Sequence, residues 1–259
     1  MHGSWFSGER AIVIAGIAAV IAGAWAYLVA ASLDMYGRMD GPAAWMMEAT
    51  WDAPYLLLIF LMWVVMMAGM MLPSALPTIL LFRRVIYRDP LVQAPGARMF
   101  VFACGYVAAW TLFSAAATLL QWALAEAALL SPMMVSASPW LGGAILLVAG
   151  VYQWTPLKNA CIAHCRSPLA FLMQNWRPGV PGAFRLGLRN GLYCVGCCWA
   201  LMLLLFVGGV MSLLWIAAIT AFVLAEKLAP YGAQGGRLSG VALVAAGLWV
   251  LVSASLRHS

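Results

Sequence analysis

The sequence predicts an all-α fold: a polytopic transmembrane helical bundle of about seven spans, forming one integral membrane domain over residues 1–259. Three observations carry that prediction. The 259 residues are 65% apolar and only 8% charged, whereas soluble domains carry about a quarter charged residues. The charge-free stretches are long enough for helices that cross a hydrocarbon core, which takes roughly 17–25 residues. The basic residues, finally, collect on one side once those helices are threaded. A soluble enzyme is excluded because so little charge cannot cover its surface. Intrinsic disorder is excluded because the chain has too much to bury.

The first span is 11–33, 23 residues between Arg10 and Asp34. It is longer than a signal-peptide core of about 7–15 residues, so it reads as an uncleaved anchor. The second lies within the charge-free run 53–82 and is placed at 54–76, where Pro73 and Pro77 predict a kink or an end. The third is 99–125. The fourth is 139–158, after a loop signalled by Ser131, Pro132, Ser138 and Pro139. The run 190–225 would make one helix of roughly 54 Å, too long for a single crossing. Gly208 and Gly209 in its middle predict a turn between spans at 186–208 and 211–228. The last span is 238–256.

Threaded this way, twelve of the fourteen Lys and Arg residues share a side. They are Arg10, Arg83, Arg84, Arg88, Arg98, Lys158, Arg166, Arg177, Arg185, Arg189, Lys227 and Arg237. Only Arg38 and Arg257 lie opposite. The positive-inside rule makes the crowded side cytoplasmic, with the N-terminus inside and the C-terminus outside. The net charge of +6 is then a topology signal. The lipid bilayer is the expected partner, and nucleic acid is not.

Five of the six cysteines form two groups: Cys161 and Cys165 flanking His164, and Cys194, Cys197 and Cys198. On helices, the i, i+4 and the i, i+3, i+4 spacings each share a face. Both groups, and Cys104, fall in the cytoplasmic half, with Cys161 and Cys165 at the inner mouth of span four. That placement argues against structural disulfides. Clustered thiols with a histidine suit a soft or borderline metal, with copper foremost and zinc or iron as alternatives. A thiol redox pair and plain packing of small apolar residues stay open at these positions.

Span two also carries Met62, Met66 and Met70 within about 80° of a helical wheel, with Met67 and Met71 on the adjoining face. Met66, Met67, Met70 and Met71 would form a thioether path toward the thiols, or fill the core as adaptable apolar side chains. The outer loops read Asp34-Met35, Met39-Asp40, Met46-Met47-Glu48, Asp52 and Met133-Met134. These mixed thioethers and carboxylates would capture a cation, or sit solvated at the interface. Tyr152-Gln153 precede the first cysteine group. Glu226-Lys227 reads as a local ion pair with a snorkelling lysine. There is no P-loop, no G-x-S-x-G, no H-E-x-x-H and no haem-attachment motif.

Four segments together resemble the bacterial family of predicted metal-binding integral membrane proteins, a domain of unknown function. They are Met62-Trp63 through Met71-Leu72-Pro73; Tyr152-Gln153 with Pro156-Leu157-Lys158 and Cys161 to Leu169; Gly191 to Met202; and Glu226-Lys227-Leu228. The resemblance spans about 51–230 and implies an inner-membrane protein whose cysteines are metal ligands. It implies no reaction. Ser212 follows Met211 where the family often has asparagine, and Gly69 stands in place of alanine.

The expected role is handling or transport of a soft metal, with a metallochaperone or another membrane protein as partner, or with oligomerisation. Two other roles are a thiol oxidoreductase using Cys194 and Cys197 with a quinone, and a non-catalytic subunit of a metal-dependent membrane complex. His164 is an optional ligand. His2 and His258 are terminal and uninvolved.

Overall fold

A computed structural model describes residues 3–35, 37, 46, 50–87 and 95–258, with side chains of the first helix from Ile14 onward and without the side chain of His258. Met39, Asp40, Met47, Glu48, Arg38, Arg88 and His2, all named above, lie outside the described residues, as does the side chain of Arg10. Everything described is helix, turn or loop, apart from one isolated bridge between Leu130 and Ser136. The helices are α1 (Gly3–Met35), α2 (Ala53–Ile86), α3 (Pro95–Glu126), α4 (Pro139–Tyr152), α5 (Pro156–Arg166), α6 (Pro168–Asn175), α7 (Gly179–Met202), α8 (Leu205–Gly208), α9 (Leu213–Leu228) and α10 (Gly232–His258).

Five stretches are long and apolar enough to cross a membrane: 14–35 in α1, α2, α3, the α7–α8 unit and 232–257 in α10. The bent pair α4–α5 makes a sixth if it counts as one span. The helices differ in role. Some 56% of the most apolar window is buried in α2 and in α7–α8, but only 17% in α1 and α10. The centre is therefore α2 and α7, and α1 and α10 turn most of their apolar surface outward.

Three details differ from the sequence reading. First, α2 does not stop near its prolines but runs 34 residues to Ile86. Pro73 has no N–H to give the carbonyl four residues back, Gly69. Trp25 on α1 supplies the missing donor, its Nε1 lying 3.3 Å from the Gly69 oxygen. A neighbouring helix thus satisfies the freed carbonyl, the usual condition for proline within a membrane helix. Second, the fourth span is not straight. It ends at Tyr152 and resumes at Pro156 after a bend of 63°. Thr155 caps the new helix, with Oγ1 accepting from the Lys158 N–H at 3.3 Å, and Pro156 takes its first position. Third, the segment expected as span six is a helix of only 16 residues, Leu213–Leu228. At 1.5 Å per residue it is about 24 Å long. The turn before it is at Gly209, whose φ of +97° suits glycine.

Helices α3 and α7 pack through glycines. A Cβ on Gly187 would lie 1.9 Å from the Phe102 carbonyl oxygen, and one on Gly105 would lie 2.3 Å from that of Phe184. Backbones this close leave no room for a side chain, as in small-residue membrane helix crossings. The close approach brings Tyr106 of α3 against the cysteine face of α7.

Candidate metal centre

Helix α7 places Cys194, Cys197 and Cys198 on one inward face, and all three are buried. The bend after Tyr152 folds α5 along α7 instead of letting it leave the bundle at once. Cys161 consequently lies against Gly196, where a Cβ would come within 2.7 Å of its sulfur. The Tyr152 hydroxyl donates to the Gly196 carbonyl from the other side of the bend. Cys165, one turn on, lines a small void together with Cys194 of α7. The two cysteine groups therefore meet. Cys161 lies beside the second half of α7, at Gly196.

The sulfurs do not yet share a centre. Cys197 and Cys198 turn back on their own helix, donating to the Cys194 carbonyl at 3.1 and 2.9 Å. Among the described residues, no three Cys, His, Asp or Glu side chains converge as a preformed metal site. All six cysteines are free thiols.

Cys194 has partners the sequence did not suggest. Lys227 Nζ lies 2.9 Å from its sulfur and 3.1 Å from Ser74 Oγ. The Tyr106 hydroxyl is 3.0 Å from the same sulfur and 3.1 Å from the Met71 carbonyl oxygen. A small void beside these groups is also lined by Thr78, Cys165 and Asn190.

Glu226 and Lys227 do not form the local pair expected of them. Adjacent helix positions point about 100° apart, so the two side chains reach different neighbours. Glu226 instead meets Lys158 of α5 at 2.5 Å, both side chains being 3% exposed. Lys158 also donates to the Gln153 side-chain oxygen. Neither lysine snorkels, since Lys158 is 2% and Lys227 6% exposed. Gln153 Nε2 is buried with no hydrogen-bond partner among the described residues. A lysine within a helix turn of Cys161 and a carboxylate beside Lys227 thus join α5 to α9 across the cysteine cluster. The signal for this was Thr155-Pro156, a capped helix start that also disfavours helical geometry at Thr155.

The other candidates divide. His164 stays outside the cluster. Its ring stacks on Tyr193 with centroids 4.1 Å apart and planes 5° apart, and its Nδ1 is 2.8 Å from the Ala160 oxygen. Cys104 lines an apolar groove between α1, α2, α3 and α7 that holds none of the other thiols. Met66, Met67, Met70 and Met71 are fully buried, and Met71 touches the cluster through its carbonyl. Asp52 spends its carboxylate on capping α2, accepting from the Tyr55 N–H at 2.9 Å.

No curated protein and no solved structure matches the chain. One family model does match, over residues 60–250, a segment that contains every cysteine just described. The match supports the metal-related family resemblance read from the motifs. The chain belongs to the family described as PpoB2, copper chaperone.

Proposed function

We propose that the chain is a bacterial inner-membrane protein that takes up Cu(I) as cargo on the Cys165, Cys194, Cys197 and Cys198 cluster, with Cys161 alongside. The observation that carries this reading is the meeting of thiols from α5 and α7, Cys161 lying against Gly196 and Cys165 sharing a void with Cys194, within a chain of the copper chaperone family. Thiolate and thioether sulfurs favour Cu(I) over harder cations. Cu(I) is also satisfied by fewer donors than a tetrahedral Zn(II) site demands, which suits sulfurs that pair without a ready-made centre. The Lys227 ammonium occupies the flank of Cys194 that an arriving cation would contest. On loading it would yield that sulfur and keep Ser74. Met66, Met67, Met70 and Met71 would serve as the softer path along α2.

The topology we infer has seven crossings, with α4–α5 as one broken span and α9 as the sixth. The N-terminus is cytoplasmic and the C-terminus periplasmic. Two supports are the apolar lengths of the helices and the one-sided placement of basic residues. The cluster would then exchange copper with a soluble carrier in the cytoplasm. Copper bound by the purified protein under reducing conditions tests the reading. We expect metal in the native chain and its loss in a variant with Cys194, Cys197 and Cys198 changed to Ser. Equal, near-zero copper in both would overturn it.

A further inference from the structure

At the end of the bundle where α2 begins, a second place collects sulfur. A cavity of about 200 Å³ is lined by Met46, Trp51, Tyr55, Gln121 and Met134, with the loop 130–132 at its rim. Tyr55 lies 16 positions before Met71 on α2, so this cavity is roughly 24 Å from the cysteine cluster along the helix axis. Both methionines are buried, Met46 at 1% and Met134 at 4% exposure, and both line the same space.

The walls are held in place. The Tyr55 hydroxyl donates to the Met46 carbonyl at 2.9 Å. The Gln121 side-chain oxygen accepts from Trp63 Nε1 at 2.8 Å. Met134 sits in a tight loop in which its N–H donates to the Ser131 carbonyl at 2.9 Å and the Ser131 N–H donates to the Val135 carbonyl at 2.8 Å. Trp51 and Met134 both adopt left-handed backbone, with φ of 49° and 56°. That region disfavours residues with a Cβ and is ordinarily left to glycine. Here the loop keeps a methionine there, buried and part of the cavity lining. Strained backbone of this kind clusters at ligand sites.

We propose that this cavity is a distinct soft-cation site that takes Cu(I) on the Met46 and Met134 thioethers, with the Trp51 ring as a wall. The choice of cation rests on the copper reading above. Thioethers carry no proton, so they favour a soft monovalent ion without adding negative charge to an apolar site. They also bind without releasing a proton, unlike thiols. From here the fully buried Met62, Met66 and Met70 recur at one-turn intervals down α2 toward Tyr106 and Cys194. The cavity is thereby placed as the far end of a sulfur-lined route.

Silver(I), a redox-stable stand-in for Cu(I), is titrated into purified protein by calorimetry at pH 5.5 and 7.5. In a variant with Cys161, Cys165, Cys194, Cys197 and Cys198 changed to Ser, we expect about one Ag(I) per chain with the same affinity at both pH values. Adding Met134→Leu should remove it. Should the five-serine variant not fold, Met46→Leu with Met134→Leu in the native chain is expected to lower the stoichiometry by about one. A native chain that binds silver, beside a five-serine variant or a double-leucine variant showing no such pattern, overturns the cavity site and leaves the cysteine reading standing. Silver lost only with the methionines upholds the cavity and overturns the cysteine reading. No silver on the native chain overturns both.

Discussion

The Lys158–Glu226 pair is the most consequential contact to perturb, because it ties α5, which carries Cys161 and Cys165, to α9, which carries Lys227. Its charges are 2.5 Å apart and 3% exposed. At an effective dielectric of about 20, Coulomb attraction at that distance is about 7 kcal/mol. Much of it is offset by the cost of removing both ions from water. Removing one partner is worse than removing both, since it leaves a lone buried charge, at about 3–5 kcal/mol. Glu226→Gln should therefore destabilise the protein by about 3–5 kcal/mol, and Lys158→Met by a similar amount. The double variant should lose at least about 3–5 kcal/mol less than the sum, ending no less stable than either single variant. Reversible unfolding in mixed detergent micelles, run as a double-mutant cycle, measures this. Additivity within about 0.5 kcal/mol would refute the claim that the two side chains act as a pair. The pair's geometry supplies an internal check. A Cβ on Gly236 would lie 2.3 Å from Glu226 Oε1, so Gly236→Ala should reproduce part of the Glu226→Gln loss without removing a charge.

Three other substitutions separate packing from chemistry. Gly187→Ala puts a methyl into the Phe102 carbonyl and should cost at least about 1–3 kcal/mol in the same unfolding assay, as overpacking does. Gly196→Ala crowds the Cys161 sulfur, 2.7 Å from the new Cβ. It should increase Cys161 labelling by a membrane-permeant maleimide, while the face of Cys194, Cys197 and Cys198 stays protected. His164→Ala should leave bound copper unchanged, because the ring is engaged with Tyr193 and the Ala160 oxygen. A clear drop in copper would restore the histidine as a ligand.

Much of the candidate site was legible in the spacing of residues. The i, i+3, i+4 pattern of Cys194, Cys197 and Cys198 specifies one face of any helix, and α7 is a helix there. The methionines of α2 were equally plain. What escaped was anything set by contact between separate helices. Glu226 and Lys227 are neighbours in the chain, yet their side chains reach different partners. Their partners, Lys158 and Cys194, are 68 and 33 positions away. The extension of α2 past Pro73 depended on a donor from Trp25, which no local rule anticipates. His164 illustrates the opposite error. Sequence proximity put it between two cysteines, yet its position on α5 turns it toward Tyr193. The bend at Tyr152 was readable in principle, since Thr155-Pro156 is a start signal inside an apolar run.

By itself the sequence determined that this protein is a bundle of apolar helices with sulfur gathered on particular faces. Those properties follow from composition and from the 3.6-residue period, both of which act locally. Only the tertiary structure decided which faces meet. It joined the two cysteine groups by folding α5 back along α7, and it withdrew two lysines and a glutamate from the interface into the core. It also enclosed Met46 and Met134 in one cavity. Bilayer-length helices all look alike to the lipid, so hydropathy cannot choose among their pairings. The choice falls to glycine contacts, capped breaks and buried charges that must find a partner.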